Sequence, residues 1–148
     1  MQNRSLKILA VSSGGGHWIQ LMRLQPVMHG AEVVYACVNH SYQCDVAESE
    51  FYIIKDGNLG KPWRLFPVVC SAIFLVARVR PDVLISTGAA PGFLAACIAK
   101  IMGARVVWID SIANAEELSM CGRHIGWLAD LWLTQWPHLT RKNGPQYL

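Results

Sequence analysis

The chain has 148 residues, of which 53% are hydrophobic and 16% charged, with a formal charge of +3 and a pI near 8.7. That length supports a single domain, residues 1–148, with a core of its own. The mild basicity carries no run of Lys or Arg, which argues against a nucleic-acid partner, and the high apolar content leaves surface for another protein or a membrane.

The first seven residues are polar and lead into an apolar run five residues long, too short for the core of a signal peptide. That run, Lys7–Val11, reads as a buried strand ending in the glycine-rich turn Ser12-Ser13-Gly14-Gly15-Gly16-His17. Residues 18–27 place Trp18, Leu21, Met22, Leu24 and Val27 at helical spacing, with Pro26 marking the end. Residues 32–38 predict a second strand, residues 51–54 a weaker third, and residues 56–63 a Gly/Pro-rich loop. A helix is expected over 64–80, stopped by Pro81-Asp82, and Val83–Ser86 is a short strand. Residues 87–92, Thr-Gly-Ala-Ala-Pro-Gly, read as a second glycine-rich turn. A small-residue helix then covers 93–102 and ends at Gly103. Arg105–Ile109 is another strand, 110–118 a polar loop or short helix start, 121–129 a helix, Leu131–Thr134 a last strand, and 136–142 a terminal helical turn. Strands that are continuously apolar and alternate with helices indicate an α/β fold: a Rossmann-like parallel sheet with helices on both faces.

Five cysteines, Cys37, Cys44, Cys70, Cys97 and Cys121, are odd in number and lack C-x-x-C spacing, which fits a reduced, cytoplasmic setting. The five histidines show no ligand spacing, and no metal is expected.

In doubly wound sheets ligands bind beyond the carboxyl ends of the strands, where both glycine-rich turns fall. The first opens into a helix, whose free N–H groups favour a phosphate; a tight turn without a ligand is the alternative. His17 is a candidate general base or phosphate contact, or else a solvent-facing histidine at a helix start. The second turn is small enough to pass under a sugar or a phosphate, and is otherwise ordinary strand-to-helix chemistry. Asp110 and Ser111 follow the strand Arg105–Ile109, so Asp110 could bind a sugar hydroxyl, act as a base, or cap the loop.

Residues 65–77 are apolar on nearly every helical face yet too short to span a bilayer. Lys61, Arg64, Arg78 and Arg80 flank them, with Trp63 and Phe66 near the start. That pattern suits a peripheral membrane contact, and a crossover helix buried on the sheet would look the same.

Three segments together resemble the family of asparagine-linked glycosylation protein 14 and its bacterial exopolysaccharide relatives of the PssD and CpsF type. They are SSGGGHWIQLMRL at 12–24, RPDVLISTGAAPGFLAACIAKIMGARVVWIDSIA at 80–113 and LADLWLTQWPHL at 128–139. A more distant likeness is to the N-terminal half of the MurG transferase. The resemblance implies the acceptor-side half of a GT-B glycosyltransferase, active only with a catalytic subunit of the PssE or asparagine-linked glycosylation protein 13 type. It implies transfer from a UDP-sugar, which is a substrate and not a cofactor, to a polyprenyl-diphosphate-linked saccharide at the inner face of the cell membrane. His17 and Asp110 are then the catalytic candidates. Ser13, Gly14, Gly15, Gly16, Thr87, Gly88, Pro91 and Ser111 are the candidates for binding the acceptor and its diphosphate. Departures from the family pattern are Asp110 for Glu, Asn114 for Arg, Cys121 for Thr and His138 for Glu, and the N-terminal membrane anchor of eukaryotic relatives is expected to be missing. A competing role is a non-catalytic adaptor that recruits and stabilises the catalytic subunit. A free-standing Rossmann enzyme is disfavoured, because the first turn is not G-x-G-x-x-G and no acidic residue follows at the expected distance.

Overall fold

Short runs rich in Val, Ile and Leu form the strands, because such side chains pack well on a pleated surface buried on both faces. They are β1 (Lys7–Val11), β2 (Glu32–Cys37), β3 (Glu50–Ile53), β4 (Val83–Ser86), β5 (Arg105–Ile109) and β6 (Leu131–Thr134), with a two-residue β7 (Gln146–Tyr147) at the edge. The computed structural model describes residues 4–57 and 60–148; residues 1–3 of the polar start and residues 58–59 of the expected 56–63 loop lie outside the described residues.

All described strand pairs are parallel, in the order β3-β2-β1-β4-β5-β6-β7. The chain runs outward from β1 through β2 to β3, crosses back, and continues outward on the other side from β4. The strand order therefore reverses between β1 and β4, where Leu9 pairs with both Val34 and Leu84. At such a reversal two successive loops diverge and leave a crevice at the carboxyl edge.

Alternate side chains of each strand feed two cores. Leu9, Val11, Leu84, Val106 and Trp108 pack on one face with α2 (Phe66–Val79), α3 (Ala89–Ile101) and α4 (Met120–Ile125). Ile8, Ala10, Ile85, Ile109 and Leu133 pack on the other with α1 (Gly16–Met22) and the segments around it.

Several boundaries differ from expectation for identifiable reasons. α1 stops at Met22, because the Pro26 ring would clash with the carbonyl four residues back; Pro26 instead opens a 3₁₀ turn, Gln25–Met28. α3 begins at Ala89, so residues 89–92 are helix and the second glycine-rich turn shrinks to Thr87-Gly88. Pro91 is tolerated there because the first helical turn needs no N–H donor. α4 ends at Ile125 and not at 129. A 3₁₀ segment at His40–Val46 and strand β7 have no apolar pattern and were not expected.

The expectation of a helix over 64–80 that is either buried or in lipid is corrected in form: α2 is two-faced. Val68, Ala72, Leu75, Val76 and Val79 are buried against the sheet and α3, while Trp63, Phe66 and Phe74 are 75%, 73% and 66% exposed. Residues Pro62–Val79 are long and apolar enough to cross a membrane by composition, with a mean hydropathy of 1.5. Their one buried face and their place as the crossover from β3 to β4 give them the geometry of a surface helix.

Candidate functional site

The two glycine-containing turns meet at the β1/β4 crevice. His17, in the first turn of α1, donates from Nδ1 to the Thr87 carbonyl at 2.8 Å. Thr87 returns a bond from Oγ1 to the His17 carbonyl, also at 2.8 Å. A carbonyl can only accept, so Nδ1 carries a proton, and in the neutral ring the Nε2 lone pair is left free. No partner for Nε2 occurs among the described residues.

Glycines make this approach possible. A Cβ on Gly88 would stand 2.6 Å from His17 Cε1, and its φ of +131° disfavours any other residue. Ala89 follows at φ +67°, a left-handed conformation that is costly for alanine and concentrated at sites that need it. Behind them a Cβ on Gly92 would overlap Ser86 Oγ, which accepts from the Gly88 N–H at 3.2 Å.

The first turn is braced from the unexpected segment His40–Val46. The Gly15 N–H donates to the Tyr42 hydroxyl at 2.8 Å, and Gly14 lies under the Tyr42 ring. Tyr42 stacks on Trp18 with ring centroids 5.1 Å apart, and Trp18 Nε1 donates to Asp45 at 2.8 Å. The N–H groups of Gly16 and His17 meet no protein acceptor among the described residues. Ser13 is half-buried beside them. Pro91 is enclosed in the first turn of α3 and presents no surface to the crevice.

Asp110 lies elsewhere. It is 1% exposed, and its two carboxylate oxygens accept from the Ser119 N–H at 2.9 Å and the Ser119 hydroxyl at 2.5 Å. Ser119 in turn caps α4 by accepting from the Gly122 N–H at 2.8 Å. The carboxylate thus faces α4, on the opposite side of the sheet from α1. The geometry favours the loop-capping alternative over a second base, since each oxygen accepts from Ser119 and the side chain is buried. Ser111 is 8% exposed, with its hydroxyl accepting from Ala113 N–H at 3.3 Å. Loop 110–118 is further tied down by Gln135, Trp136 and His138, which donate to the carbonyls of Asp110, Ile112 and Ala115. Beside it burial, then the Asp110 charge, then Cys97, push the Cys121 thiol up to about 11.

A cavity of about 210 Å³ adjoins the crevice, lined by Gln20, Arg23, Thr87 and Gln135 among others. A larger one of about 620 Å³ opens at the opposite, amino edge, between Arg80, Asp82 and Arg105, away from both glycine turns. The sequence does not single out Gln20 or Tyr42. The signal for Gln20 was a polar residue three positions after His17 and four before Leu24, on the inward stripe of α1; Tyr42 offered none.

Of the expected membrane set, Lys61, Trp63, Arg64, Phe66, Arg78 and Arg80 are all exposed. The four cations form no ion pair among the described residues. Ile73 and Phe74 extend the aromatic stripe along α2.

Comparison with known proteins agrees with this architecture. The chain is 27% identical to the UDP-N-acetylglucosamine transferase subunit ALG14 of Rattus norvegicus, over 94% of its own length and 79% of the relative's. It is 26% identical to the Homo sapiens protein of the same name, over 93% and 79%. Among solved structures it superimposes on MurG of Acinetobacter baumannii with a TM-score of 0.76 at 13% identity, covering 95% of this chain. It superimposes on UDP-N-acetylglucosamine 2-epimerase of Rickettsia bellii with a TM-score of 0.69 at 12% identity. The chain spans under half of those two solved chains, 44% and 40%, and the likeness is one of fold: a Rossmann-like domain of GT-B type. The model of the oligosaccharide biosynthesis protein Alg14-like family matches residues 53–148, nearly two thirds of the sequence, and the chain belongs to that family.

Proposed function

We propose that this protein is the acceptor-binding, membrane-associated subunit of a two-component glycosyltransferase in exopolysaccharide biosynthesis. It moves a sugar from a UDP-sugar to a polyprenyl-diphosphate-linked saccharide. The observation that carries the reading is the reciprocal His17–Thr87 pair at the β1/β4 crevice. It holds the imidazole in the tautomer whose Nε2 can take a proton from an acceptor hydroxyl.

In the proposed reaction that hydroxyl attacks the anomeric carbon, its proton passes to His17 Nε2, and UDP leaves with the bonding pair. The N–H groups of Gly16 and His17, with Ser13 and the turn at Thr87-Gly88, receive the acceptor's diphosphate. The donor half comes from a subunit of the PssE or asparagine-linked glycosylation protein 13 type, and no cofactor takes part. Support for a partner is that the mammalian relatives are named as subunits of a transferase. N-Acetylglucosamine is the first donor to try, because the mammalian relatives bear that sugar in their names; hexosyl and glucuronosyl donors are the next.

The protein works at the inner, cytoplasmic face of the membrane, lying on it through Trp63, in the turn just before α2, and through Phe66, Ile73 and Phe74 on the exposed face of α2. Lys61, Arg64, Arg78 and Arg80 add attraction to anionic headgroups of about 1 kcal/mol each near the surface. In flotation with anionic liposomes, the protein with its partner should rise with the lipid. Changing the four cations to Gln should leave most of it at the bottom.

Co-expression with the second subunit, followed by incubation with a UDP-sugar panel and a polyprenyl-diphosphate saccharide, tests the activity. Elongation of the lipid-linked product is expected only with both chains. Full-rate transfer by this chain alone would overturn the two-component reading. Unchanged transfer by a His17→Ala complex would favour the adaptor.

A further inference from the structure

Gln20 presents an unusual state for a buried side chain. It is 7% exposed, and neither its Oε1 nor its Nε2 meets a protein partner. Buried amides are normally bonded, because removing one from water without compensation is costly. The amide belongs to the wall of the cavity of about 210 Å³ between α1 and the ends of β5 and β6. Around it stand Arg23, whose guanidinium pairs with no carboxylate among the described residues, and Gln135, which donates from Nε2 to the Asp110 carbonyl at 3.1 Å. Leu24 and Ile109 supply apolar wall. Thr87 lines the same cavity while bonding His17, so the cavity and the crevice share a wall.

We infer that this cavity is a subsite for one pyranose ring of the acceptor saccharide, with Gln20 as its specificity-determining residue. The inference rests on the proposed transfer for the word acceptor, and on the cavity alone for the word pyranose. Planar amide and guanidinium groups grip vicinal hydroxyls, which both donate and accept, while the C–H face of a ring suits Leu24 and Ile109. A space of about 210 Å³ is below the usual range for a whole drug-sized ligand, about 300–1,000 Å³, and suits a single ring. Gln20 lies three residues beyond His17 on α1, about 4.5 Å along the axis. That spacing is comparable to the width of a pyranose ring, so a seated ring can offer a hydroxyl to the imidazole.

Two arms test it. In the first, saturation-transfer NMR is run on the full chain with methyl β-glucoside, methyl β-galactoside and methyl N-acetyl-β-glucosaminide as probes. At least one glycoside should receive saturation from the wild type and lose most of it with Gln20→Leu. That variant removes an unpartnered amide and should melt no lower than wild type. Arg23→Ala, on the exposed rim, is a second variant that leaves the core untouched and should also weaken the signal. No contact with any glycoside, or equal contact in all three proteins, overturns the subsite.

In the second arm the two-subunit complex is assayed. Gln20→Leu should raise the acceptor KM about tenfold, the worth of one or two lost hydrogen bonds, with kcat and donor KM little changed. A rise confined to the donor KM would overturn the acceptor assignment. Loss of partner binding with intact glycoside binding would mark Gln20 as an interface residue and overturn it likewise. If the complex transfers no sugar at all, the proposed function fails, while the glycoside arm still decides the subsite.

Discussion

At the carboxyl end of β4, Thr87 spends its carbonyl and its hydroxyl on His17, and the imidazole keeps one nitrogen open. One strand over, at the end of β5, Asp110 has both oxygens committed to Ser119 and is 1% exposed. Both are polar residues at the ligand edge of a parallel sheet, and the position rule that governs such folds treats them alike. What separates them is the direction of the side chain. His17 lies at the reversal of strand order, where neighbouring loops part. Asp110 turns under α4, whose Gly122 leaves no room for a Cβ: one there would sit 2.7 Å from Asp110 Oδ1. A strand end is thus a place where a reactive group can be put, and local hydrogen bonding decides whether the group is available.

The contrast can be broken most directly at His17. His17→Ala should lower transfer by the two-subunit complex about a hundred- to ten-thousandfold, the range of a lost general base, without weakening subunit association. Loss of association instead would mean that the residue is structural. Gly88→Ala should come next. The new Cβ meets the imidazole and must adopt φ +131°, a strain of about 1–3 kcal/mol, and the displaced ring should lower kcat more than it raises the acceptor KM. An unaltered kcat would show that the ring's place is not set by this contact.

Asp110→Asn sharpens the other side. It should cost about 1–3 kcal/mol of stability in denaturant titration, by leaving a buried donor pair badly matched, while turnover per folded complex stays near wild type. Ser119→Ala should cost about 1 kcal/mol, as for other helix caps, and the two changes together should cost less than their sum because they remove one shared contact. A large fall in kcat for Asp110→Asn at unchanged stability would restore Asp110 as a base.

The strands were largely legible in the sequence. Runs such as Lys7–Val11 and Arg105–Ile109 are apolar after their first, charged residue, and only a sheet covered on both faces can bury both sides of them. The edge strand Gln146–Tyr147 was not, because its two residues carry no pattern and its pairing with β6 is set by neighbours. The start of α3 is hidden in the sequence because Ala-Ala-Pro-Gly has the composition of a turn. The fold uses its proline and glycine for the first helical turn and for clearance over Ser86.

The linear sequence by itself determined the alternation of strands and helices and the glycine-rich turn ahead of α1, and it left His17 and Asp110 together as candidate bases. These depend on local residue types, whose backbone preferences act over a few positions. The tertiary structure alone decided that His17 meets Thr87, 70 residues away, and that Tyr42 holds the first turn from 27 residues away. It also decided that Asp110 faces α4 and that α2 buries one face and exposes the other. Each of these is a matter of which side of the sheet a side chain takes and what packs there, and contacts between distant segments leave no periodicity to read.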